Sequence, residues 1–183
     1  ASRQASQLTR DRLDATDPQW SPDGTRIAYV TRPSPKADDG VLGDIMVIPA
    51  SGGTPTKLTS NPGPDTSPRW SPDGRFIAYL SGSKPQSGGQ NDIMVMPASG
   101  GPPRNLTDAL DRNESNPVWS PDGKNLALVL QESGWDHVYF VPVTGGTPKA
   151  LTTGEFEDGN PVFSPDGKFL AITSSRAVLE ERH

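Results

Sequence analysis

The chain has 183 residues, with 17 Lys and Arg against 22 Asp and Glu and a formal charge of −5. That balance argues against nucleic acid as a partner, because such a binder carries a basic face. No run of 18 apolar residues is present, which argues against a membrane-spanning helix. The lack of cysteine removes disulfides, thiol chemistry and cysteine-type zinc sites. It leaves the compartment of a soluble chain, cytoplasmic or periplasmic, open.

Apolar residues make up only 32 % of the chain, and it holds 19 Gly and 20 Pro. A low-complexity segment has that composition, but here Gly and Pro stand at fixed steps of a repeat. Residues 1–16 read as a lead-in, carrying Leu8-Thr9 and a short turn near Arg10 to Leu13. Residues 17–59 form the first unit. It opens Asp17-Pro18-Gln19-Trp20, and a first strand ends at the tryptophan. Ser21-Pro22-Asp23-Gly24 is a tight hairpin, in which Pro presets φ and Gly takes the left-handed position. A second strand follows at Ile27 to Val30, then a polar loop over 31–43. A third strand starts at Asp44-Ile45-Met46-Val47, Gly52-Gly53 makes the next turn, and a fourth strand ends at Leu58-Thr59.

The unit then recurs. Residues 60–107 carry Ser67-Pro68-Arg69-Trp70-Ser71-Pro72-Asp73-Gly74, Asp92-Ile93-Met94-Val95, Gly100-Gly101 and Leu106-Thr107. Residues 108–152 carry Asn116-Pro117-Val118-Trp119-Ser120-Pro121-Asp122-Gly123, Asp136-His137-Val138-Tyr139, Gly145-Gly146 and Leu151-Thr152. Residues 153–183 hold Asn160-Pro161-Val162-Phe163-Ser164-Pro165-Asp166-Gly167 and only the first half of a fourth unit. The aromatics are 50, 49 and 44 residues apart. Four short strands at that period are the signature of a β-propeller blade. The expectation is an all-β chain of about three and a half four-stranded antiparallel blades in an incomplete ring. A third strand of the fourth blade would start somewhere in 180–187, where the chain ends. This reads as part of a longer polypeptide, or as half of a homo-oligomer that closes a ring.

The aromatic ending each first strand is placed to pack between blades, and Met46, Met94 and Met96 to fill the core. The first strand is innermost in a propeller. Residues at its start would therefore ring one mouth of the central channel. These are Asp17, Ser67, Asn116 and Asn160, with Ala15, Asp65, Glu114 and Asp158 two positions earlier. They read either as solvated turn residues or as an acidic entrance that meets substrate termini. In the second case, burial would perturb the pKa values of the acids.

No serine lies in a Gly-x-Ser-x-Gly elbow, and the chain has two histidines, His137 and His183. His137 reads as a strand-surface or inter-blade residue. Three or four ligands for zinc do not gather around it, and the Ser-Pro-Asp-Gly aspartates lack the ladder of a calcium loop. No metal, no cofactor and no catalytic residue are expected in this chain.

The repeated Trp-Ser-Pro-Asp-Gly, from Leu8 to Ser174, resembles two kinds of propeller: TolB-type blades, and the N-terminal propeller of prolyl-oligopeptidase-family serine peptidases, especially the acylaminoacyl-peptidase branch. The opening Leu8-Thr9-Arg10-Asp11-Arg12-Leu13 and Asp17 to Gly24 look like the start of the peptidases. The peptidase resemblance implies a propeller that does no chemistry, gates peptide substrates, and packs on a C-terminal α/β-hydrolase domain absent from this chain. The TolB resemblance implies an envelope propeller that binds protein partners. A third kind, a propeller enzyme such as a lyase or lactonase with a channel metal, would need His or carboxylate ligands from several blades; with two histidines here, the remaining blades would have to supply them.

Overall fold

The computed structural model describes residues 5–10, 14–32, 42–82, 91–108, 110 and 117–176. All regular structure among them is β. The first sheet runs β1 (Ala15–Trp20), β2 (Arg26–Thr31), β3 (Asp44–Pro49) and β4 (Thr56–Lys57), hydrogen-bonded in that order. The second holds β5 (Asp65–Trp70), β6 (Phe76–Gly82), β7 (Asn91–Pro97) and β8 (Arg104–Asn105). The third holds β9 (Val118–Trp119), β10 (Asn125–Glu132), β11 (Trp135–Pro142) and β12 (Lys149–Ala150). The fourth has two strands, β13 (Asp158–Phe163) and β14 (Leu170–Ser174). Every pairing is antiparallel. The architecture is an open, partial β-propeller, its blades in chain order.

Each landmark of the repeat has a local cause. In Ser21-Pro22-Asp23-Gly24 the Gly24 N–H donates to the Ser21 carbonyl at 2.9 Å. The Ser21 hydroxyl donates to Asp23 at 2.5 Å and accepts the Arg26 N–H at 2.9 Å, while Asp23 also accepts the Thr25 N–H. The same web recurs at Ser71, Ser120 and Ser164. Gly24 has φ +68, open to glycine without strain. The second Gly of the Gly-Gly pair is more demanding: Gly53 sits at φ +133, a region few L-residues enter.

The fourth strands are only two residues long, ending before the Leu-Thr pairs. The pairs continue the ladder in another way. The N–H groups of Leu58, Leu106 and Leu151 donate to the carbonyls of Ile45, Ile93 and Val138 at 2.8–2.9 Å. The hydroxyls of Thr59, Thr107 and Thr152 then accept the N–H groups of those same residues at 2.9 Å. A side chain thus takes over where the backbone turns towards the next blade.

Blades stack through their apolar faces. Ala28, Val47 and Leu58 of the first pack on Trp70, Ile77 and Ala98 of the second. A larger cluster joins the second blade to Trp119, Leu126 and Val143 of the third. Trp70 and Trp119 are buried. Their indole N–H groups donate to the carbonyls of Gln19 and Arg69, just before the preceding blade's aromatic, at 3.1 and 2.9 Å. Arg26 lies over the Trp70 ring at 4.6 Å and reaches the Gly74 carbonyl. Phe163 has no N–H to give, and its ring stacks on Phe140 at 5.6 Å instead. Trp20 has no blade before it among the described residues and is 62 % exposed. Of the methionines, Met96 is buried, and Met46 and Met94 are half-buried.

Candidate functional site

The first strands lie side by side: β1 approaches β5, and β5 approaches β9. The candidate residues lie at the starts of these inner strands. Asp17, Ser67 and Asn160 share one backbone state, with φ of +47, +55 and +49. At each the register with the second strand slips, between Thr16 and Gln19, Thr66 and Arg69, and Gly159 and Val162. Each is a bulge residue, and short polar side chains tolerate this left-handed conformation best. The bulge turns the side chain out of the ladder. Asp17 bonds Gln19 at 3.1 Å and meets Arg69 of the next blade at 3.4 Å. Asn160 donates to Thr173 and is exposed, and Ser67 is half-buried. Glu114 and Asn116 lie outside the described residues.

Two positions earlier the chain goes inside. Asp65 and Asp158 are 0 and 1 % exposed, at the joints between successive blades, while Ala15 is exposed. The two acids differ in their surroundings. Burial pushes the Asp65 carboxyl up, with the nearby Asp44 charge adding to it, and Ser81, Thr59 and Asn61 only partly offset this. Neither Asp65 oxygen meets a donor in good hydrogen-bond geometry. Burial acts on Asp158 too, but Ser174, Thr152 and the Arg176 guanidinium outweigh it and hold the carboxyl below its ordinary value. Arg176 donates to Asp158 at 2.8 Å.

His137 joins this second cluster. It is buried, with Nδ1 3.9 Å from Asp158 Oδ2. Its register corrects the sequence alignment of the repeat. His137, not Asp136, occupies the place of Asp44 and Asp92, because Ile48, Met96 and Val141 pair with equivalent second-strand residues. Asp44 is neutralised by Lys57 at 2.6 Å, and Asp92 accepts a bond from Asn105 at 2.9 Å. The corresponding outer residue of the third blade is Ala150, with nothing to offer a carboxylate. The constant 14-residue step to the threonine, from Ile45, Ile93 and Val138, was the signal available in the sequence. Thr59, Thr107, Thr152 and Arg176 are the other joint residues that sequence reasoning passed over.

Chemically, this arrangement can hold and orient. Among the described residues no three of His, Asp or Glu gather where a metal ion would sit. Asp65 and Asp158 are buried at the joints, so the more accessible polar groups are the bulge side chains.

Residues 1–116 match the family described as the TolB beta propeller domain. Among solved structures, the chain is similar to a putative TolB from Agrobacterium tumefaciens, at 27 % identity and a TM-score of 0.69, over 90 % of this chain and 56 % of that one. It is similar to TolB from Acinetobacter baumannii at 26 % identity and TM-score 0.66, over 90 % and 39 %. A puromycin-hydrolyzing peptidase from Mycobacterium tuberculosis shares the fold at 23 % identity and TM-score 0.71, over 88 % and 28 %. The chain therefore spans no more than 56 % of the length of any of these three. No curated protein matches the sequence.

Proposed function

Because the chain belongs to the TolB beta propeller domain family, we propose that it is a non-catalytic propeller portion that receives extended peptide at the inner strand starts. In this reading it gates and orients peptides for a prolyl-oligopeptidase-type hydrolase domain carried elsewhere in a longer protein. The observation that supports it is the repeated left-handed bulge at Asp17, Ser67 and Asn160. It sets polar side chains, free of the sheet ladder, at the same step of the first, second and fourth blades. Such groups suit the N–H, carbonyl and terminal charges of an unfolded peptide.

The test is fluorescence anisotropy with labelled unstructured peptides. The wild-type chain should bind them. A triple variant, Asp17→Gly, Ser67→Gly and Asn160→Gly, keeps the left-handed backbone, removes the side chains, and should weaken binding about tenfold. No binding by the wild type would overturn the reading. A second reading, a TolB-like propeller that binds folded protein partners, is favoured by the 26–27 % identity to the two TolB structures. Capture of a folded partner by the same face, with no affinity for peptides, would select it.

A further inference from the structure

We propose that the joint between the third and fourth blades is a proton-operated latch: in mild acid His137 takes up a proton and pairs with Asp158 across the joint, locking the two blades together. Both partners lie inside the fold, 5 and 1 % exposed. The three blades place different residues at this step of the third strand. In the first, Asp44 meets Lys57 of its own fourth strand at 2.6 Å. In the second, Asp92 accepts a bond from the Asn105 amide at 2.9 Å, again within the blade. The third blade carries His137 here, and its fourth strand offers only Ala150, so the partner of His137 lies in the next blade. Histidine is the side chain whose ordinary charge change falls between about pH 5 and 8.

His137 Nδ1 stands 3.9 Å from Asp158 Oδ2, inside ion-pair range but too far for a hydrogen bond. Among the described residues, neither that nitrogen nor Asp158 Oδ1 meets a partner in hydrogen-bond geometry. A neutral ring leaves both atoms buried and unsatisfied, which is costly. A protonated ring carries N–H on both nitrogens. Nδ1 then becomes a charged donor beside a carboxylate with an oxygen to spare, and a movement of about 1 Å makes a charge-assisted hydrogen bond. The other charged groups around the joint do not cancel this. Arg176, beyond β14, holds Asp158 Oδ2 at 2.8 Å, but its side chain is 44 % exposed, so water screens its repulsion of the imidazolium. On β11, Asp136 is the adjacent residue and leaves the strand on the other face, while Tyr139 bonds Glu132 of β10. Leu130 of β10 lies opposite His137. Lys149 of β12 and Glu157, just before β13, are exposed. The sign follows. Folding gives the imidazolium a buried carboxylate that the unfolded chain lacks, so the latch contributes below about pH 6.5 and is lost as pH rises through neutrality. Below about pH 4 the carboxylate takes a proton and the latch opens again. The latch depends on neither reading of function given above.

Urea unfolding of the full chain at about pH 5.5 and about pH 8, on either side of the ordinary histidine range, tests the latch. Wild type is compared with His137→Gln, which stays polar and loses the titrating ring. His183 is common to both proteins, so its titration cancels. From the higher pH to the lower, the unfolding constant of the wild type relative to the variant should fall about tenfold. An unchanged ratio overturns the proposal. In an Asp158→Asn background the pH-dependent difference should vanish; its persistence also overturns the proposal, because proton uptake would then not need the carboxylate. If Asp158→Asn does not fold, hydrogen exchange of the wild type decides. The Val138 N–H, held by the Thr152 hydroxyl, is compared with the Ile93 N–H, held in the same way by Thr107 in a blade without histidine. After correction for intrinsic exchange, protection of Val138 relative to Ile93 should rise about tenfold at the lower pH. A constant ratio refutes the latch.

Discussion

Thr59→Val isolates the side-chain clasp that closes each blade. The substitution is nearly isosteric, and Thr59 is buried, so the ledger is short. The Ile45 N–H, now bonded to Thr59 Oγ1 at 2.9 Å, would be left buried without an acceptor. That costs about 1–3 kcal/mol. With a urea slope of about 2 kcal/mol/M, the unfolding midpoint should fall by about 0.5–1.5 M. Thr59→Ser keeps the oxygen and loses only a methyl, so it should cost about 1 kcal/mol. Hydrogen exchange supplies the local readout: the Ile45 amide should lose protection in the valine variant and keep it in the serine one. If Thr59→Val lowers stability by less than about 0.5 kcal/mol and Ile45 stays protected, the clasp does not work as described.

Trp119→Phe removes the indole donor to the Arg69 carbonyl and part of a buried ring, and should cost about 2–3 kcal/mol in urea unfolding; Trp20→Phe, at an exposed site, should cost little. Asp65 and Asp158 should give opposite pH behaviour in thermal melts. Burial raises the folded-state value of Asp65 above its unfolded one, so its contribution is most favourable below about pH 4 and is lost as pH rises. Asp65→Asn should therefore stabilise the protein at neutral pH and flatten that dependence. The Asp158 carboxyl is held low, so its contribution is present above about pH 4 and fades in acid. Asp158→Asn should destabilise at neutral pH, with Arg176→Ala, at a half-exposed pair, costing about 1 kcal/mol or less. Gly53→Ala, at φ +133, should cost more than Gly24→Ala at φ +68, about 2 against 1 kcal/mol, since only the second conformation is one that other residues visit.

The blade was legible in the residues because its punctuation is local. Ser-Pro-Asp-Gly closes its own hairpin through contacts within five residues, and Asp23 is held at about 2 chiefly by its bond from Ser21. Strand order follows from turns this tight, and the 44–50-residue spacing of the aromatics carries the stacking. The joints were not legible in the same way. Asp65 and Asp158 occupy equivalent steps of the repeat and look alike in sequence, yet one is a destabilised buried acid and the other an ion-paired one. The difference lies in Arg176, Lys57 and Ala150, residues 8 to 18 positions away in the chain that strand pairing and stacking place at the joint. His137 shows the same limit. Its motif begins with an aspartate like the others, but strand pairing shifts it by one residue into the aspartate's place. Short-range turn chemistry therefore determined the unit from sequence alone. The charge state of each joint was decided by the tertiary structure, because electrostatic energies depend on distance and burial across blades, neither of which a repeat pattern records.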